Sequence, residues 1–256
     1  MNKLNNIFNS KRNLLSVHFT AGYPSADDTM PILQRLNDAG VDFVVIDIPF
    51  SDPLTDSPYM QQSSMCALRN GMSVRNLFRQ IADMRHTVTV PVVLMSYINP
   101  VMQFGMEKFL VTCRKVGISA VIIPDLPFDM YLANYKTLFD KYQIGFVPFV
   151  APQCSDERIR HIDANSNTFI YVVSACDTTQ SIYADDHYLQ ICNKRIASLE
   201  FSRPVMFDLD MTTAENFRRA CLYANGGMTG SDFIRHIEQN GATEASIASF
   251  VKRYKQ

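Results

Sequence analysis

The chain has 256 residues, of which 47% are hydrophobic and 19% are charged, a composition typical of a globular protein that buries a large core. Its formal net charge of −1 leaves no basic excess to neutralise phosphates, which argues against a nucleic-acid or anionic-membrane binder. The six cysteines form no C-x-x-C pair and the N-terminal segment has no apolar leader, so we expect a cytoplasmic protein with reduced thiols and no membrane span.

Short apolar runs alternate along the chain with segments of helical periodicity. The runs that predict strands are Leu14–Thr20, Phe43–Ile48, Val90–Met95, Ala120–Ile123, Gly145–Val150, Phe169–Val173, Pro204–Asp208 and a weaker one at Ala224–Thr229. The segments that predict helices are Asp27–Ala39 after a Ser25 cap, Glu107–Val116, Met130–Tyr142, Asp156–Ala164 and Thr213–Tyr223. The strand runs are continuously apolar, which is typical of parallel strands covered on both faces.

The repetition of eight such units in 256 residues predicts an α/β fold of the (β/α)8 TIM-barrel type. We expect a single domain over residues 1–256, with a short N-terminal helical extension, because no linker-like stretch divides the chain. A doubly wound open sheet is the alternative. Its first turn is usually rich in glycine, however, and the sequence has no G-x-G-x-x-G motif.

Three carboxylates lie where the second predicted strand opens into a loop. In the stretch VVIDIPFSDPLTDSPY, Asp47 interrupts the apolar run, and Asp52 and Asp56 follow within nine residues. Acids at the C-terminal end of a barrel strand are typical of proton transfer or of a docking surface. A role in forming the turn is the alternative for Asp56, because aspartate is common in such loops.

Six segments give the sequence a family resemblance. They are FTAGYPS (19–25), DAGVDFVVIDIPFSDPLTDSP (38–58), VVLMSYINPVMQFGMEKF (92–109), VIIPDLP (121–127), FVAPQCSDERI (149–159) and YVVSACDTT (171–179). In order and spacing they resemble the tryptophan synthase α subunit, from about residue 14 to residue 240.

This resemblance implies a reaction and a partner. The reaction is the cleavage of indole-3-glycerol phosphate to indole and glyceraldehyde 3-phosphate in tryptophan biosynthesis, with no cofactor in this subunit. The partner is a tryptophan synthase β subunit, which uses pyridoxal phosphate to make tryptophan from indole and serine. The two subunits are expected to form an α2β2 complex in which each activates the other.

The two catalytic carboxylates of the family map onto one acid and one valine. Asp56 matches the aspartate in the loop after the second strand. The family's strand glutamate falls on Val45, which carries no proton, and loss of a general acid or base costs about 10²- to 10⁴-fold in rate. Asp47 stands where the family usually has glycine and faces the same side as Val45, so it is either a substitute acid or a buried polar residue that needs a partner.

The resemblance also implies a phosphate site. Gly230 and Ser231, leading into what we expect to be the last helix, resemble the family's phosphate contact, with an ordinary helix cap as the alternative. Thr179 matches a threonine in the family's loop after the sixth strand.

Four positions of that phosphate site are altered. They are Asp177 and Gln180, in place of glycines after the sixth strand, and Asp208 and Asp210, in a segment where the family has G-F-G-I. Loss of glycine restricts the close approach of the backbone to a ligand. An aspartate charge about 5 Å from a phosphate costs roughly 3 kcal/mol at an effective dielectric constant near 20. We therefore expect weak binding of indole-3-glycerol phosphate.

Aromatic side chains of the family's indole pocket are matched by Tyr97 and Tyr171, with Met95 and Ile122 as apolar walls, and a core role is the alternative. For His18, at the mouth of the first strand, we favour a hydrogen-bonded structural role.

The segments that touch the β subunit in the family are better kept than the pocket. The docking residues that the resemblance implies are Asp52, Pro53, Asn99, Pro100 and Pro127. Specific residues kept on surface loops beside an altered pocket indicate a retained docking role.

Three functions fit these residues. We favour a regulatory subunit that activates the β subunit and has little lyase activity of its own. The second is a weakly active lyase in which Asp56 works with Asp47. The third is a barrel repurposed for a ligand without phosphate, which the extra aspartates at the strand ends favour.

Overall fold

The structure, a computed structural model, describes residues 3–54, 56–151, 153–173, 194–208 and 213–255. Within these ranges lies one parallel sheet of nine strands. The strands are β1 (Leu14–Thr20), β2 (Phe43–Asp47), β3 (Val92–Met95), β4 (Ala120–Ile122), β5 (Gly145–Val147), β6 (Phe149–Val150), β7 (Ile170–Val173), β8 (Val205–Asp208) and β9 (Gly226–Thr229).

The sheet curls into a nearly closed barrel. Neighbouring strands follow the order β5-β4-β3-β2-β1-β9-β8-β7-β6, so β5 and β6 occupy its two edges. Only Pro148 separates these two strands in the sequence, and proline has no N–H to continue a ladder of hydrogen bonds. The predicted TIM barrel is therefore confirmed, and its fifth strand, predicted as Gly145–Val150, is broken at Pro148.

Helices cover the outside of this barrel. They are α1 (Lys3–Ser10), α2 (Thr29–Ala39), α3 (Pro58–Arg69), α4 (Val74–Gln80), α5 (Met84–Thr87), α6 (Ile98–Phe104), α7 (Met106–Val116), α8 (Phe128–Asn134), α9 (Lys136–Tyr142), α10 (Asp156–Asn165), α11 (Ala214–Cys221), α12 (Ser231–Asn240) and α13 (Glu244–Lys255), and residues 194–198 are also helical. No helix in the described ranges is both long and apolar enough to span a bilayer.

Three details of the helix prediction are wrong. Ser25 does not cap α2, because its backbone N–H donates to the Asp28 carboxylate at 3.0 Å and closes a separate turn before the helix. The predicted helix over Met130–Tyr142 is two helices, since Tyr135 has a φ of −123°, outside the helical range. The helix that follows Gly230 is not the last one, because α13 packs beyond it.

Strand alternation divides the buried side chains into two layers. One layer lies between the strands and the helices and includes Val17, Val44 and Leu94. The other fills the barrel interior, where the strands contribute Leu14, Phe43, Val45, Val93, Met95, Ala120, Ile122, Val147, Tyr171, Val173, Met206 and Met228.

The floor of the barrel is closed by α1. Its Phe8 ring lies 6.1 Å from the Phe43 ring and 5.3 Å from the Phe169 ring, measured between centroids. Phe43 begins β2 and Phe169 directly precedes β7, so α1 packs against the N-terminal ends of the strands. The C-terminal ends form the open mouth, where a barrel places its site.

The first turn of α12 is held in place at this mouth by an ionic cluster around a buried aspartate. Asp232, which is buried, accepts hydrogen bonds from Arg253 and from the Tyr254 hydroxyl, the latter at 2.6 Å. Arg235 donates to the other carboxylate oxygen at 2.5 Å. The cluster ties α12 to α13 and fixes the position of Ser231 beside the mouth.

We expect Phe8→Ala to lower the free energy of unfolding by about 3 kcal/mol or more, because it leaves a cavity among three packed rings. Urea denaturation followed by circular dichroism measures the change. The control, Val111→Ala at an exposed position of α7, should shift stability by less than about 0.5 kcal/mol. Equal losses for the two variants would show that α1 does not close the barrel.

Candidate active site

Asp47 ends β2 with its side chain in the barrel mouth. It lies two residues after Val45, so the two side chains share the inward face of the strand. The residue is 2% exposed, and its Oδ1 atom has no hydrogen-bond partner among the described residues. Burial raises the pKa of this carboxyl well above its ordinary value, and the nearby Asp56 raises it further. Asp47 therefore keeps its proton to a higher pH than an exposed aspartate does.

Asp56 lies in the loop between β2 and α3 and is also buried. The Tyr97 hydroxyl donates a hydrogen bond to its Oδ1 at 3.2 Å, and the Tyr97 ring stacks on Phe50 with centroids 5.1 Å apart. Gln61 donates its side-chain amide to the backbone oxygen of Asp56 at 2.8 Å. These contacts hold the Asp56 carboxyl in place, near enough to Asp47 to raise the pKa of that group.

Val45 is fully buried in the inward wall of the barrel. Its partners in register are His18 on β1 and Val93 on β3. Where the resemblance implies a glutamate, the three neighbouring strands therefore present His18, Val45 and Val93 side by side.

The hydrogen-bonded structural role predicted for His18 is not carried by its Nε2 atom. The residue is 7% exposed, and this atom has no partner among the described residues. Burial lowers the pKa of the imidazole to about 4, so the ring is neutral at physiological pH. A Cβ added to Gly230 would lie 3.3 Å from His18 Nδ1, so glycine at this position leaves room for the ring.

Gly230 and Ser231 form the start of α12, a ten-residue helix whose N-terminal amides face the mouth region. The Ser231 hydroxyl is 2.7 Å from the Ser57 hydroxyl, which in turn accepts a hydrogen bond from the backbone of Met60 and caps α3. This contact joins the loop that carries Asp56 to the predicted phosphate end of the site.

Of the altered phosphate positions, the structure describes one. Asp208 is the last residue of β8, half-buried, and in register with Val173 and Met228, both of which line the interior. It therefore adds a carboxyl to the rim of the barrel. Asp177, Thr179, Gln180 and Asp210 lie outside the described residues.

The predicted aromatic and apolar residues lie in the interior. Tyr171 is buried and packs edge-on against Phe149, with ring centroids 4.7 Å apart. Met95 and Ile122 lie on the inward faces of β3 and β4. One side of the interior is thus apolar, while β1 and β2 contribute the polar side.

The loops predicted to dock on a partner share the mouth end of the barrel. Asp52, Asn99 and Pro127 are exposed, Pro100 is half-buried and Pro53 is buried. The backbone N–H of Ile98 donates to Asp125 at 2.8 Å, which ties the loop after β3 to the loop after β4.

Sequence reasoning missed three exposed apolar side chains, one on the loop after β2 and the others on α6 and α8. Leu54 is 79% exposed, Met102 is 49% exposed and Met130 is 52% exposed. The exposure of Leu54 could have been predicted, because it is a leucine in the otherwise polar loop SDPLTDSP. The exposure of Met102 and Met130 could not, because methionine fits a buried core position equally well. Ser57, which links the two ends of the site, was also missed.

No metal site accompanies these groups in the part of the chain that the structure describes. Three or more histidine, cysteine, aspartate or glutamate side chains are nowhere grouped there so as to hold an ion.

Comparisons with known proteins agree with the family resemblance. The family model described as "Tryptophan synthase alpha chain" matches residues 4–256. The tryptophan synthase alpha chain of Flavobacterium psychrophilum is 42% identical over 251 residues, which cover 98% of this chain and 98% of the relative.

Solved structures share the fold. The tryptophan synthase A-subunit of Pyrococcus furiosus has a TM-score of 0.85 at 26% identity and covers 96% of this chain, with 98% of its own length matched. A chain of the structure titled as tryptophan synthase from M. tuberculosis in an aminoacrylate-bound form has a TM-score of 0.86 at 21% identity, over 99% of this chain and 98% of its own.

We expect Asp47→Asn to stabilise the protein increasingly as pH rises from 4 to 8. Unfolding returns Asp47 to its ordinary pKa near 3.8, whereas the folded state holds the proton more tightly, so the wild type loses stability as pH rises above that value. Chemical denaturation at pH 4, 6 and 8 measures the difference. Asp52→Asn, at an exposed position, should show no such trend, and parallel pH profiles for wild type and Asp47→Asn would contradict the assignment.

Proposed function

Because the chain belongs to the tryptophan synthase alpha chain family of tryptophan biosynthesis, we propose that it docks on a β subunit and raises that subunit's synthesis of tryptophan. Its own cleavage of indole-3-glycerol phosphate is impaired in this proposal. Pyridoxal phosphate belongs to the β subunit, and we assign no cofactor to this chain. We place the α2β2 complex in the cytoplasm, which agrees with the free thiols of Cys66, Cys113, Cys154 and Cys221.

Val45 is the observation that carries this proposal. It is a fully buried hydrocarbon in the barrel wall, at the position where the resemblance implies a glutamate. The aldol cleavage needs one proton delivered to C3 of the indole ring and one removed from a glycerol hydroxyl. With valine in the wall, one of these two transfers loses the family's group.

The rim of the mouth supports the docking part of the proposal. Leu54 lies on the loop after β2, Met102 on α6 and Met130 on α8, and all three leave apolar surface in water. Exposed apolar surface flanked by polar residues is typical of a protein interface. The loop between β2 and α3 carries both Leu54 and the site residue Asp56, and hydrogen bonds within it fix their relative positions. The backbone N–H of Asp56 donates to the Pro53 oxygen at 3.1 Å, and that of Leu54 donates to the Asp52 oxygen at 2.9 Å.

A weak lyase is the second candidate, and the pairing of Asp47 with Asp56 favours it. In this mechanism the protonated Asp47 delivers its proton to C3 of the indole ring as the carbon–carbon bond breaks. Asp56, held by Tyr97, takes the proton of the glycerol hydroxyl, which becomes the carbonyl of the product. Two carboxyls with different proton affinities are suited to such a pair of transfers.

We expect the purified chain to raise tryptophan formation by its isolated β subunit several-fold, with indole and serine as substrates. Leu54→Asp should abolish this activation, because it puts a charge into the apolar rim, and it should leave folding intact because the side chain is exposed. Met65→Asp, at an exposed site on α3, is the matched control and should activate like the wild type. No activation by the wild-type chain would reject the proposed function.

Indole release from indole-3-glycerol phosphate by the reconstituted complex tests the second candidate. If Asp47 is the proton donor, Asp47→Asn should lower this release by about 10²-fold or more while leaving β-subunit activation unchanged. Asp140→Asn, at an exposed position of α9, should have no effect. Release that survives Asp47→Asn would remove Asp47 from the mechanism.

A further inference from the structure

Three buried polar atoms without partners lie at different heights along the inward wall formed by β1 and β2. They are Ser16 Oγ, level with Phe43 near the floor, His18 Nε2 above it on β1, and Asp47 Oδ1 at the end of β2, and none has a hydrogen-bond partner among the described residues. Buried polar groups in folded proteins are nearly always paired, because an unpaired one keeps the cost of its lost hydration. The unpaired His18 Nε2 and Asp47 Oδ1, at neighbouring levels toward the mouth, therefore indicate a hydrogen-bonding occupant.

Strand register places these atoms on one wall. His18 lies beside Val45, and the next inward pair toward the mouth is Thr20 with Asp47. His18 is thus the polar side chain level with the valine, one inward position below the carboxyl of Asp47.

The other side of His18 faces the start of α12. Its ring lies against Gly230, where even a methyl group would come within 3.3 Å of Nδ1. The imidazole therefore stands between the carboxyl pair and the helix N-terminus at which a phosphate is expected. A neutral imidazole offers one donor and one acceptor nitrogen, and so can pair with a hydroxyl group.

We propose that His18 is a substrate-binding residue of this barrel and that its Nε2 forms a hydrogen bond with a hydroxyl of the chain linking an aromatic ring to a phosphate. This inference rests on the proposed function for the identity of the substrate. The apolar side of the interior at Tyr171 holds the ring, the α12 terminus holds the phosphate, and His18 holds the hydroxylated part between them.

Two ligands isolate this contact. Indole-3-glycerol phosphate carries the hydroxyls, and indole-3-propanol phosphate has the same ring and phosphate without them. Isothermal titration calorimetry with the full chain should show that His18→Phe weakens binding of the first about tenfold and leaves the second within about twofold. His18→Gln, whose amide nitrogen replaces Nε2, should restore binding of the first ligand to within about threefold of wild type.

Equal effects of His18→Phe on both ligands, or no binding of either ligand by the wild type at millimolar concentration, would overturn the inference. Failure of His18→Gln to restore binding, with an unfolding midpoint equal to that of the wild type, would overturn it too. The activation assay with the β subunit separates this result from the proposed function. If the chain fails to activate the β subunit but His18→Phe still weakens binding of only the hydroxylated ligand, the proposed function is rejected and the role of His18 stands. If the chain activates the β subunit but His18→Phe affects both ligands equally, only the role of His18 is rejected.

Discussion

The barrel is nearly closed, with β5 and β6 as its edges on either side of Pro148, and its curvature turns every second side chain of each strand toward one interior space. At the floor that space is filled by rings from α1, β2 and the residue before β7, which exclude water. At the mouth the same inward faces carry His18, Val45 and Asp47. The site is therefore a continuation of the core, and its polar groups experience the low dielectric of the interior.

Desolvation moves the pKa values of these groups in opposite directions but toward the same state of charge. It raises the pKa of Asp47 and lowers that of His18, so the interior favours a neutral carboxyl and a neutral imidazole. A neutral carboxyl can donate a proton, and a neutral imidazole can both donate and accept a hydrogen bond. Val45 stands in this wall where the resemblance implies a glutamate, but the wall still has two polar groups next to Val45, His18 beside it on β1 and Asp47 above it on β2.

One short loop joins the rim proposed for docking to the site. Between β2 and α3 the chain exposes Leu54, then buries Asp56, then places the Ser57 hydroxyl 2.7 Å from Ser231 at the start of α12. A partner docked on the rim as proposed would therefore contact a segment that carries Asp56 and is hydrogen-bonded to the N-terminus of α12. Allosteric coupling between two subunits requires a segment with two conformations whose equilibrium is shifted by both the partner and the site, and this loop belongs to both the rim proposed for docking and the site.

The sequence by itself determined the repeat of strands and helices, the barrel and the family, because apolar periodicity and the PFSDPLTD motif are local signals. It also placed Asp47 on the face of Val45, because strand alternation has a period of two. It did not show that Ser25 would bond Asp28 rather than cap α2, or that the hydroxyls of Ser57 and Ser231 would meet across 174 residues. Nor did it show that His18 would place its Nδ1 side against Gly230 and leave Nε2 unpaired. Those outcomes depend on which neighbours the closed barrel brings together and on how much water it excludes, and both are properties of the tertiary structure.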